Sequence, residues 1–186
     1  MIRILLLFSF FFITNQIYSQ LVQWSLDINE SFISYDGKHF LHSWSGKNEK
    51  IRGVIVENTE EKKFKQIAIA MLVKDFDSGN GNRDSNMLEL LEIINFPKIE
   101  FYSNNISQDK DKILFSGNLI FHGISRSLNI NSAIKKSIEK IILSGEFKVS
   151  LVDHKVKLPT FMMRSIDNEV LIKYQLLFNK SDNNNL

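Results

Sequence analysis

Four histidines, a close pair of glutamates and one Arg-Asp dipeptide are the side chains whose type and spacing suit chemistry. His39 and His42 stand three residues apart, next to Trp44. On a strand, positions i and i+3 point to opposite faces, which makes two imidazoles at that spacing a poor metal pair. For His122 and His154, exposure to solvent is the simplest expectation. Glu89 and Glu92 fall on one face of a helical stretch, a spacing that more often marks a solvated face than an acid pair. Arg83-Asp84 opens that stretch, and two readings of it stand side by side: a polar gate at an opening, or a helix cap with a salt bridge. No nucleophile elbow, phosphate loop or His-Glu-x-x-His stretch occurs. Cysteine is absent, so no thiol nucleophile, disulfide or Cys-based zinc site can form. The expectation is a protein without catalysis, metal or cofactor. A hydrolase or isomerase built on His42 or His122 would lack a nucleophile–base motif.

The elements that must position these side chains are mostly strands. Ser31 to Tyr35 is strand-like and ends at the turn pair Asp36-Gly37. Ile51 to Val56 carries β-branched residues on both faces. Ile67, Ile69, Met71 and Val73 alternate with smaller or polar residues, as in a strand covered on both sides. Longer alternations follow through Ile113, Phe115, Gly117, Leu119 and Phe121, then Ile141 to Leu151, then Val170, Ile172, Tyr174, Leu176 and Phe178. Gly117 and Gly145 inside these strands suggest bends or close backbone approach. One segment breaks the period: Asp84 to Ile94 places apolar residues at 87, 88, 90, 91 and 94, a helical stripe with Asp84 or Ser85 as candidate cap. Phe96-Pro97 ends it.

Long strands with a single helix favour a sheet that closes on itself. The expected fold is all-β: a closed antiparallel barrel of about eight strands, wide enough to hold a ligand, with one inserted α-helix. A β-sandwich is the competitor on pattern. In a barrel, Phe101, Phe115, Phe121, Phe147 and Trp44 are either lining or ordinary core, and spacing does not separate the two.

A length of 186 residues suits one domain. The formal charge of +2 argues against nucleic acid and against tight binding to an anionic membrane. Met1-Ile2-Arg3, a ten-residue apolar run from Ile4 to Ile13 and a polar exit at Thr14-Asn15-Gln16 form the pattern of a secretory signal. Ten residues are too few to cross a bilayer as a helix. The expected division is a signal peptide at 1–19 cleaved after Ser19, a domain at 20–180 and a disordered tail at 181–186, with a periplasmic or secreted mature protein.

Four stretches, in order, resemble the YceI-like polyisoprenoid-binding family. Trp24-Ser25-Leu26-Asp27 with Ser31 to Tyr35 and Lys38-His39 is similar to its opening strand. Asn82-Arg83-Asp84-Ser85-Asn86-Met87-Leu88 resembles its R-D-x-x-L stretch at the start of the helix. Phe96-Pro97-Lys98-Ile99-Glu100-Phe101-Tyr102-Ser103 resembles its P-x-I-x-F-x-S strand, and Gly117 to Ser125 its G-x-L-x-x-x-G-x-(T/S) hairpin. Asn86 stands where many members have His, and Lys157 to Phe161 lacks the Arg often found before its Pro. The resemblance implies a lipocalin-like barrel whose elongated apolar lumen holds an isoprenoid-type lipid, polyisoprenoid or isoprenoid quinone, without catalysis; transient membrane contact is left open. A homodimer is one of the oligomeric states left open. On this expectation Trp44, Ile69, Met71, Phe101, Phe115, Leu119, Phe121 and Phe147 are the lumen candidates, and Arg83, Asp84 and His122 the polar mouth candidates. The alternative is a secreted interaction or stress-associated barrel with a filled core and no lipid.

Overall fold

The structure is a computed structural model and describes residues 21–161 and 164–181. The expected signal segment lies outside the described residues, as do residues 182–186 of the expected tail.

The chain runs through β1 (Leu21–Leu26), β2 (Phe32–His39), β3 (His42–Asn48), β4 (Arg52–Asn58), β5 (Lys63–Leu72), α1 (Gly81–Leu90), β6 (Lys98–Asp109), β7 (Lys112–Phe121), β8 (Ile124–Lys136), β9 (Lys140–Ser150), the two-residue strands β10 (Thr160–Phe161) and β11 (Arg164–Ser165), and β12 (Glu169–Lys180). The sheet order is β1-β4-β5-β6-β7-β8-β9-β12-β2-β3, and a further pairing of β1 with β12 closes it. The result is a closed eight-stranded antiparallel barrel with β2 and β3 as an added hairpin. Closure removes the free edges that an open sheet of this size would expose. A sandwich is thereby ruled out.

β1 and β2 share one edge of β12. Trp24 to Leu26 pair with Lys180 to Phe178, and Phe32 to Asp36 with Gln175 to Leu171. Between them the Ser31 hydroxyl accepts from the Leu177 amide at 2.9 Å, and the Asp27 amide donates to the Leu177 carbonyl at 2.8 Å. These bonds satisfy the backbone groups at the break. The β7–β8 hairpin turns at His122-Gly123, both with positive φ, the geometry of a two-residue turn matched to strand twist.

Gly117 and Gly145 both mark close approach, as expected. β6 shifts register between Tyr102 and Asn105, and a Cβ on Gly117 would lie 2.3 Å from the Tyr102 carbonyl oxygen. Inside the bulge, the Ser103 hydroxyl donates to the Ser116 carbonyl at 2.8 Å. A Cβ on Gly145 would lie 2.7 Å from the Tyr174 hydroxyl.

The helix differs from its sequence expectation. It begins at Gly81, capped by the Asn80 side chain, which accepts from the Arg83 amide at 3.0 Å. Asp84 and Ser85 therefore lie inside the helix and cap nothing. Ile94 is 95% exposed, because the helix has already ended when the stripe reaches it.

Candidate functional site

The barrel interior contains an apolar cavity of about 120 Å³. Ile69 and Met71 of β5, Phe101 of β6, Phe115, Leu119 and Phe121 of β7 and Phe147 of β9 line it, as strand alternation directs. Ser132 of β8 and Tyr174 of β12 supply the hydroxyls of the wall, and they hydrogen-bond to each other. Burial raises the Tyr174 phenol above its ordinary pKa, and the bond from Ser132 opposes that in part.

Phe76, Ile99, Phe121 and Ile172 border both this lumen and a second cavity of about 610 Å³, the mouth. α1 forms one wall of the mouth through Arg83, Asn86, Met87 and Leu90. The β2–β3 hairpin forms another through Tyr35 and Trp44, and the segment after β9 contributes Lys157 and Pro159. Trp44 belongs to the mouth and not to the lumen: it faces Gly37 across the hairpin, where a Cβ would stand 2.6 Å from its ring. The Tyr35 phenol is raised by burial and by the charge of Asp84, with Arg83 acting the other way. It is protonated at neutral pH and can donate there.

The remaining mouth candidates separate. Asp84 turns back, and its carboxylate accepts from the Ser78 amide at 3.1 and 3.3 Å. That fixes the loop ahead of the helix. His122 is buried in the β7–β8 turn and donates from Nδ1 to the His154 carbonyl at 2.9 Å. Its Nε2 makes no hydrogen bond, and the Glu92 carboxylate lies 4.0 Å away. His154 is buried too, with Nδ1 at 3.1 and 3.2 Å from the Phe121 and Ile124 carbonyls. Burial lowers its pKa, against those two bonds. Neither histidine is exposed, contrary to expectation: together they tie the β7–β8 turn to the segment after β9. His39 and His42 also correct a strand-based reading. They flank a two-residue turn and pair across it, with ring centroids 5.7 Å apart. No group of three or more His, Asp or Glu that could hold a metal occurs among the described residues.

The opposite end of the barrel is filled. Trp24 donates from Nε1 to the buried Glu57 carboxylate at 3.0 Å, and Lys136 pairs with the same carboxylate. The Lys136 ammonium lies 5.5 Å from the Trp24 ring and 5.0 Å from that of Phe64. Ile141 and Phe178 complete the plug with no exposed surface.

Sequence reasoning missed Tyr35, Phe76, Ser132 and the Trp24–Glu57–Lys136 cluster as parts of the site. Ser132 and Tyr174 each interrupt an alternating apolar face with one hydroxyl, and that was the available sign. The lumen volume is close to that of an engineered cavity that holds one benzene ring, roughly 150 Å³, and the mouth beside it is larger.

A family model described as YceI-like domain matches residues 24–178. No curated protein matches the chain in sequence. BcnA of Burkholderia cenocepacia has a similar fold, with a TM-score of 0.73 and 16% identity over 82% of this chain and 98% of that one. So does a polyisoprenoid binding domain from Saccharophagus degradans, at 0.67 and 14% over 85% and 98%. The YCEI protein of Campylobacter jejuni aligns at 0.64 and 17% over 74% and 85%.

Proposed function

The chain belongs to the YceI-like domain family, and from that premise we propose that it is an exported, non-catalytic protein that holds an apolar chain lipid in its barrel and mouth for carriage or storage. The observation that carries the reading is adjacency: a largely apolar lumen shares Phe76, Ile99, Phe121 and Ile172 with a larger mouth that has apolar and charged walls. Such a shape suits a ligand with one end buried and the rest reaching toward solvent. The likeness in fold to a polyisoprenoid binding domain supports the same ligand class.

Energetics favour carriage over capture. Each CH₂ removed from water contributes about 0.8 kcal/mol, so one isoprene unit contributes about 3–4 kcal/mol. Eight units would exceed the practical ceiling on affinity of roughly 18–21 kcal/mol. The reference state for such a lipid is therefore a membrane. Moving between two apolar media leaves a small net preference, and a small preference permits release.

Mild purification of the exported protein, native mass spectrometry and extraction into organic solvent test the reading. The expected result is a mature chain beginning near Gln20 that carries one chain lipid. A protein that emerges empty and gains no thermal stability from added isoprenoids would instead be a barrel with a filled core.

A further inference from the structure

The β2–β3 and β6–β7 hairpins both turn on two residues, and the two pairs differ in kind. Lys110-Asp111 closes β6–β7 at the plugged end and is polar, as tight turns ordinarily are. Phe40-Leu41 closes β2–β3 at the mouth end. Both side chains are about half exposed, and turn geometry calls for neither residue type. Ile94, just past α1, is almost wholly exposed, and Val152, in the 3-10 turn after β9, is about half exposed.

These four side chains stand on one arc. The Lys38 carbonyl, just before the hairpin tip, accepts from the Asp167 amide at 2.9 Å. The side chain of the next residue, Asn168, accepts from the Val152 amide at 2.8 Å. The turn that carries Val152 packs through His154 on the Phe121 and Ile124 carbonyls. Gly123, between those two, lies against the ring of Phe96, two residues beyond Ile94. The arc borders the mouth throughout: Phe40, Ile94 and Val152 stand within two positions of Lys38, Glu92 and Leu151, which line it.

We infer that this arc is a docking rim for a lipid bilayer: Phe40, Leu41, Ile94 and Val152 enter the interfacial layer of one leaflet and seat the mouth on it. A single exposed apolar residue needs no explanation, but four around one opening do. Borne singly on separate turns, they form no continuous groove or flat face for a folded partner, and they suit wedging among lipid headgroups. Lys38, Lys155 and Lys157 share the rim with Glu92, Asp153 and Asp167, so its charge is balanced. The apolar side chains therefore carry the contact, and a zwitterionic surface suffices. The inference extends the lipid-carrying reading by naming the surface at which exchange occurs, and it rests on that reading for its purpose alone.

Co-sedimentation of the full mature protein with phosphatidylcholine vesicles tests it. The wild type is expected to bind, with an affinity that changes little between low and physiological salt. Leu41→Asn and Ile94→Asn should each lower partitioning about tenfold, the worth of burying one such side chain. Their thermal midpoints should not fall, because both side chains are exposed in the folded protein. Ile138→Asn removes an apolar side chain that is 81% exposed at the plugged end, and it should bind as the wild type does. The chain contains no cysteine, so Ile94→Cys and Ile138→Cys can each carry one environment-sensitive dye. Vesicles should brighten and blue-shift the dye at 94 and not at 138. A wild type that stays in the supernatant, rim variants that bind as tightly as the wild type, or a dye response at 138 would overturn the inference. So would a dimer in analytical ultracentrifugation that Ile94→Asn dissolves, which would make the arc a contact between copies. None of these readouts needs a lipid in the lumen. A barrel that docks but emerges empty would sink carriage and leave the rim standing, and a rim that fails leaves the extraction test of carriage intact.

Discussion

His154 is buried with both Nδ1 contacts made to backbone carbonyls, and its imidazole gains a proton less readily in the native state than in the unfolded chain. The consequence for stability has a definite sign. Above the ordinary value of 6.5 both states are neutral at this site, and its contribution is fully present. As pH falls below 6.5 the unfolded state takes up the proton first, and stability declines until the lowered native value is reached. The thermal midpoint should therefore drop between pH 7 and pH 5, by less in His154→Gln than in the wild type. Parallel profiles for the two proteins would show that His154 does not titrate this way. That burial was not legible in the sequence, because His154 follows the strand alternation and owes its position to a short 3-10 turn, Val152–His154, packed on the β7–β8 hairpin. Gly117 and Gly145, by contrast, were legible: a glycine inside an alternating strand has few causes, and close approach is one of them.

α1 has ten residues, and none of them is fully buried. A helix of that length is marginal by itself, so it depends on its cap and on Met87, Leu88 and Leu90 packed against the core. Asn80→Ala should cost about 1 kcal/mol in urea denaturation, and Asn80→Asp should retain most of the stability. Amide exchange in α1 should be faster than in β7 to β9, and faster again in Asn80→Ala. An unaltered midpoint and exchange rate would mean that contacts alone hold the helix. The stripe at Met87, Leu88 and Leu90 was readable from periodicity. The true start was not, because Gly79-Asn80-Gly81 reads as loop, and the competing acidic residue at 84 has the right type for a cap. Its carboxylate is spent on the Ser78 amide.

At the scale of the whole molecule, alternation along long strands predicted closure, and the β1–β12 pairing delivers it. What alternation does not carry is the radius of the empty space, because one inward face serves a packed core or a lined cavity equally well. Leu119 separates the two states experimentally. If the cavity of about 120 Å³ is a ligand site, Leu119→Phe fills it, with little loss of thermal midpoint and loss of bound lipid. If the same face is ordinary packed core, overpacking should cost about 1–3 kcal/mol with lipid content unaltered. Thermal melting and lipid extraction on the same sample decide between them. The break between β1 and β2 was equally hidden, since it depends on a serine standing in for a missing strand residue at Leu177.

The plug of Trp24, Glu57 and Lys136 has a consequence for traffic. A tube stoppered at its foot is a vessel and not a conduit. Whatever enters must back out through the same door, so its last part in is its first part out. If the protein carries lipid as proposed, giver and taker cannot stand at opposite ends of the barrel; they must take turns at the face that carries α1 and Trp44.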